Sequence, residues 1–177
     1  DPLCGALFSK FVPTHSLLKN GSYYRHFYPL AAGNQYYSAQ GLFEGSLEYE
    51  GLRYDSIPIG YDTYNQFVFV AVLHQYKQEQ LILNTQRIAR FTAGQATFLR
   101  VPDSAYAGMS GGVYQLAFEG AQSRFLIAHS KDMVKIPSSA PGEKRFKFVE
   151  KESYYVVHNG VSFPLRRRRD LLSAFGN

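Results

Sequence analysis

The sequence predicts a mainly β protein: an antiparallel meander forming a strongly curved sheet, open barrel or sandwich, with short helices at the termini. Three observations carry this. From Phe43 to Glu50, the residues Phe43, Gly45, Leu47 and Tyr49 alternate with Glu44, Ser46, Glu48 and Glu50, the period-two pattern of a strand with one dry and one wet face. The run from Phe67 to Leu73 contains no polar residue, as expected for a strand covered on both sides. Aromatic residues make up 16% of the chain, all of them Tyr or Phe, and their rings favour packing across a pleated surface.

The elements follow in chain order. The segment from Pro2 to Phe11 is expected to form a short helix or an ordered arm, ended by Pro13. Asn20-Gly21 marks a turn into an aromatic-rich extended segment from Tyr23 to Leu30, and Gly33-Asn34 marks another before the strand at Phe43. Glu50-Gly51 turns that strand into the next, from Arg53 to Ile59, and Gly60-Tyr61-Asp62 reads as a bend before the buried strand from Gln66 to Leu73. Strands from Glu79 to Asn84, Ile88 to Thr92 and Thr97 to Val101 complete this half. A looser connection from Pro102 to Gly112 leads to a hairpin of Val113 to Phe118 and Arg124 to His129 around Glu119-Gly120. A loop with Pro137, Pro141 and Gly142 precedes a strand from Arg145 to Glu150. The clearest hairpin places Ser153 to His158 and Val161 to Leu165 around Asn159-Gly160, a pair suited to the positive φ angles of a type I′ turn. Asp170 to Phe175 fits a short terminal helix ended by Gly176. No linker divides the 177 residues and no repeat of fixed period stands out, so one domain over 1–177 is expected.

Composition narrows the function classes. The net charge of +5 invites a nucleic-acid reading, but four of the arginines form the single run Arg166 to Arg169, and the remainder is nearly neutral. No basic face extends along the strands, so a nucleic-acid partner is not expected. The run reads as a solvated strand-to-helix junction, or as a contact to an anionic surface or acidic partner. No apolar stretch approaches the roughly 20 residues of a membrane-spanning helix. Cys4 is the single cysteine, which rules out an intrachain disulfide, and the scattered histidines give no zinc-type ligand spacing. Neither a dinucleotide fingerprint nor a phosphate loop is present, and no metal or cofactor is expected.

Two short segments look chemical. Gly108-Met109-Ser110-Gly111-Gly112 resembles the Gly-x-Ser-Gly-Gly segment of chymotrypsin-like serine proteases, where glycines let backbone amides form an oxyanion hole beside the nucleophile. Ser110 is therefore the catalytic candidate of an alternative reading, a small serine hydrolase. His15, His26 and His74 precede it, but none stands in that family's Thr-Ala-x-His context and no Asp is suitably spaced. Tyr61 and Asp62 are the candidate binding pair, although an Asp in a bend more often accepts backbone hydrogen bonds.

A broader pattern runs through Leu18-Lys19-Asn20-Gly21-Ser22-Tyr23-Tyr24, the segment from Phe43 to Tyr54, and Ile57-Pro58-Ile59-Gly60-Tyr61-Asp62. It continues in Arg90-Phe91, Gly112-Val113-Tyr114-Gln115-Leu116 and Tyr154-Tyr155-Val156-Val157-His158-Asn159-Gly160. In this order the motifs resemble a family of uncharacterised exported proteins of Bacteroidota. The resemblance covers most of the chain and implies a periplasmic or outer-membrane-associated location. In that family the segment around Ser110 looks like a linker before a Gly-aromatic strand. With the aromatic strand set, the expectation is a non-enzymatic envelope protein that binds a partner protein, glycan or lipid.

Overall fold

A computed structural model describes residues 22–25, 28–74, 77–137, 145–167 and 170. The helix expected at 2–11 and, apart from Asp170, the one expected at 170–175 lie outside the described residues, as do Asn20-Gly21 and Pro141. The described residues form twelve strands of one sheet, with a 3-10 turn at Thr85–Arg87. They are β1 (Ser22–Tyr23), β2 (Ala31–Ala32), β3 (Leu42–Tyr49), β4 (Leu52–Asp62), β5 (Phe67–His74), β6 (Lys77–Ile82), β7 (Ile88–Ala93), β8 (Ala96–Val101), β9 (Gly112–Glu119), β10 (Ser123–Ile136), β11 (Arg145–His158) and β12 (Val161–Leu165). The spatial order is β1-β6-β5-β4-β3-β7-β8-β9-β10-β11-β12, with β2 lying parallel on β11. The sheet is open, since β1 and β12 occupy its two ends. Its neighbours pair antiparallel throughout that order, but the path is not the simple meander expected: β3 to β6 run out to one side, and β7 returns to pair with the other edge of β3.

Local chemistry sets the turns. Glu50 and Gly51 both take positive φ, 52° and 78°, as do Asn159 and Gly160 at 49° and 80°, so both hairpins close through two left-handed residues. The alternation of β3 is realised: Leu47 and Tyr49 are buried while Glu44 is exposed. The middle of the β5 run, Val68 to Val72, is covered on both sides, whereas its ends depart from the expectation, with Phe67 39% and Leu73 72% exposed. Val68, Val70 and Val72 join the main core with Leu47, Ile59, Tyr61, Phe91 and Phe98. On the opposite face Phe69 is 1% exposed, because the Tyr24 ring stacks on it at 4.1 Å and the Tyr36 ring leans on it at 5.8 Å. Phe69 can lie flat against the sheet only because its neighbour on β4 is Gly60, where an added Cβ would stand 2.1 Å from the ring.

A second cluster, formed by Leu99, Val101, Met109, Tyr114, Leu126 and Val157, lies on the other face of the sheet. The change of dry face occurs across β8 and β9, where Phe98 and Val113 belong to the first cluster and the adjacent Leu99 and Tyr114 to the second.

Three expectations need correction. Gly60, Tyr61 and Asp62 are the end of β4 and not a bend; the reversal falls on residues 63–66, with Gln66 at φ 60°. The segments expected as separate strands at 145–150 and 153–158 are one fourteen-residue strand, β11, paired along its whole length with β10, which itself runs on to Ile136. The polar stretch Glu150-Lys151-Glu152 does not break the strand because each charge meets a partner across the ladder: Lys131, Asp132 and His129, respectively. Among the described residues of the extended segment expected from Tyr23 to Leu30, Tyr23 alone lies in a strand, β1, with β2 starting beyond the segment.

The Gly60→Ala substitution is predicted to lower stability by about 1–3 kcal/mol through overpacking against Phe69. Urea unfolding followed by tyrosine fluorescence checks this, and Gly51→Ala, whose Cβ would meet nothing within 4 Å, serves to separate crowding from backbone strain.

Candidate functional site

The concave face of the sheet is folded around a polar cleft of about 650 Å³ between β3, the β7–β8 turn, β9, β10 and β11. Its geometry starts at the β4–β5 turn. Asp62 is fully buried, and its Oδ1 accepts the backbone N–H of Tyr64 at 3.0 Å and of Asn65 at 2.8 Å. Its Oδ2 accepts the Asn65 side-chain amide at 2.8 Å and the Tyr24 hydroxyl at 2.7 Å. Burial, followed by the bond to Asp62, pushes the Tyr24 hydroxyl far above its ordinary pKa, so it stays a donor. Tyr61 lies in the core, with its hydroxyl donating to Gln66 Oε1 at 2.7 Å; burial raises its pKa as well. The two candidate binding residues are thus adjacent in β4 but point to opposite faces, and both are enclosed.

The turn they support reaches across to β10. Lys131 donates its backbone N–H to Thr63 O at 3.2 Å, and the Gln66 side chain donates to His129 O at 3.0 Å. Tyr28, Tyr64 and Phe148 meet edge-on, with centroids 5.3–5.5 Å apart, which ties the turn to β11. These contacts place the cleft's polar side chains. His129 Nε2 lies 2.7 Å from Gln115 Oε1 and its Nδ1 lies 3.3 Å from Glu152 Oε1, so both ring nitrogens are engaged. The Tyr37 ring stands edge-on to the imidazole at 4.9 Å and to Phe98 at the same separation. Lys131, with a side chain 6% exposed, donates to Asn34 O and pairs with Glu150, both at 3.1 Å. Burial lowers the His129 pKa, while the charges of Glu152 and Glu150 act the other way without overcoming it.

Ser110 lies elsewhere, exposed on the connection between β8 and β9. The glycines around it serve that connection. Gly108 takes φ 80°, and Gly111 lets Asp103 come close enough to accept its N–H at 2.9 Å, where a Cβ would be 2.4 Å from the carboxylate. Ser110 contributes its carbonyl as acceptor for the Tyr114 hydroxyl at 2.7 Å. A serine–histidine contact occurs at the base of the β11–β12 hairpin, where Ser123 Oγ is 2.8 Å from His158 Nδ1. Among the described residues no group of three or more His, Cys, Asp or Glu side chains is placed to hold a metal ion, and no helix is long and apolar enough to cross a membrane.

The sequence singled out neither His129, Gln115, Lys131 nor Glu152. Each belongs to a strand whose alternation marks it as face-directed, but their meeting depends on the β9–β10–β11 register, in which Ile127 pairs with Gln115 and His129 with Glu152. Comparisons with protein-family models, curated proteins and solved structures give no match to the chain.

A folded-state pKa depressed below 6.5 means that protonation of His129 favours unfolding. Its contribution is therefore present above about pH 6.5 and is lost as pH falls toward and through the folded-state value. The difference in urea midpoint between the native chain and His129→Gln, measured from pH 7.5 to 5, is predicted to change in that direction, with the native chain losing more stability on acidification.

Proposed function

We propose that the chain is a non-enzymatic binding protein of the bacterial envelope, and that its cleft takes a neutral glycan. The observation that carries the reading is the cleft's lining. Tyr37 and Phe43 supply ring faces and edges, while Gln95, Gln115, His129, Glu152 and Lys131 supply donors and acceptors along one concave wall. Sugars match this combination, since their C–H faces lie on aromatic rings and their hydroxyls both donate and accept. Charge balance favours a neutral ligand: the lining holds two lysines, Lys131 and Lys151, and two glutamates, Glu150 and Glu152, with no surplus of one sign. Of the partner classes expected from the sequence, a lipid is the least suited to a wall so rich in hydrogen-bonding groups. The envelope location rests on the resemblance to exported Bacteroidota proteins.

Isothermal titration calorimetry with neutral hexasaccharides of glucan, mannan and chitin type tests the cleft. Binding of at least one is expected in the micromolar to millimolar range, with His129→Ala or Gln115→Ala weakening it about tenfold or more, equivalent to about 1.4 kcal/mol. Heat-free titrations with all three, together with unchanged amide spectra, would remove the glycan reading. Treatment with a fluorophosphonate is expected to leave Ser110 unmodified; stoichiometric labelling that disappears in Ser110→Ala would instead establish the serine hydrolase.

A further inference from the structure

Among the described residues, the long strand β11 is incompletely paired along its outer edge. Its inner edge pairs with β10 at every residue, but on the outer side β2 meets only Phe146 and Lys147, and β12 begins at Tyr154. No strand among the described residues pairs with 149–153 on that side. The direction of the backbone there follows from alternation. Phe146 donates its N–H outward to Leu30 O, and β11 keeps an unbroken register with β10, so every second residue from Phe146 points its N–H and C=O outward. The tight turn after His158 agrees, because a two-residue hairpin makes His158 and Val161 a hydrogen-bonded pair of the same parity. Glu150 and Glu152 therefore direct four backbone groups toward an open gap of about five residues, or about 17 Å at 3.3 Å per residue. A further cavity of about 430 Å³, lined by Glu152 to Tyr155 and by Pro164 to Arg166, continues the gap past the end of β12.

We propose that this edge receives an extended segment of a partner protein by strand addition, and that the segment carries alternating charge. The side chains along the gap supply the argument. Glu150 and Glu152 lie on one face and Lys151 on the other, all exposed, so an added strand would set its basic residues beside the glutamates and its acidic residues beside the lysine. A second copy of the chain is the poorer occupant. Antiparallel pairing of β11 with its own copy about a two-fold axis places Glu150 against Glu152 with Lys151 against Lys151, or else one glutamate against itself with Lys151 against Val149 or Ser153, so like charges are directly opposed in each of these registers. Charges at an open edge also deter unselective pairing, which makes this edge selective and not merely sticky. The proposal shares the Glu152 side chain with the cleft wall, but its test reads the outer backbone amides of Glu150 and Glu152 and does not involve His129 or Gln115.

The test uses the whole chain and a synthetic peptide of about nine residues in which lysine alternates with glutamate, with a peptide of the same composition in two charge blocks as the control. Amide hydrogen exchange read residue by residue is expected to show the Glu150 and Glu152 amides fast in the free chain and slowed about tenfold or more by the alternating peptide, with the inward Val149 and Lys151 amides unaffected. N-methylating every second peptide residue should abolish the effect in one phase of the alternation and spare it in the other. Equal protection by the block peptide, or no protection by either, overturns the proposal. Slow exchange of Glu150 and Glu152 in the free chain also overturns it, with sedimentation separating a second copy, seen as a dimer, from cover by the chain's own residues.

Discussion

The buried Asp62 carboxylate is the interaction on which the curvature of the molecule depends. A carboxylate removed from water is costly unless its acceptors are filled, and here two backbone amides, one side-chain amide and one tyrosine hydroxyl fill them. Those four donors fix the reversal between β4 and β5 and hold Tyr24 over the outer face of the sheet. The same reversal then reaches β10 through Thr63 and Gln66. A flat meander would leave β4 and β10 far apart, with four strands between them in the sheet order. Because the turn bridges that distance, the sheet curls, and the curl creates the concave wall on which His129, Gln115 and Lys131 converge.

Aromatic packing performs the complementary task of closing the outer surface. The outer side of the apolar run in β5 is covered in its middle by the chain itself, through Tyr24 and Tyr36 over Phe69. The cover is local. Phe69 is enclosed, whereas Leu73, on the same face near the end of β5, remains 72% exposed. The tyrosines thus serve packing at both levels: rings shield the sheet where no second layer lies among the described residues, and hydroxyls satisfy the polar groups that burial brings with them.

Much of the fold was legible because period-two patterning and turn residues are local signals. Leu47, Tyr49 and Val70 announce their burial by position in an alternating or continuous run, and Asn159-Gly160 announces a tight hairpin. The length of β11 was not legible, because Glu150-Lys151-Glu152 reads as a break unless the facing residues of β10 are known. The reversal after Asp62 was misplaced by a few residues for a similar reason: Gly60 looks like a turn residue, yet its role is to admit the ring of Phe69. The cleft was hidden almost entirely. Its residues come from strands far apart in sequence, and only the register brings Gln115, His129 and Glu152 into one row.

The exchange of dry faces within β8 and β9 has a mechanical consequence. Phe98 and Leu99 are neighbours in the chain but serve opposite clusters, and so do Val113 and Tyr114, so this strand pair is a shared wall between two half-cores. Disturbing the packing around Leu126 and Val157 reaches the valine-rich half through that paired wall, and the reverse holds for damage around Val70. The β8–β9 pair thereby sets how far the two ends of the sheet melt as one cooperative unit.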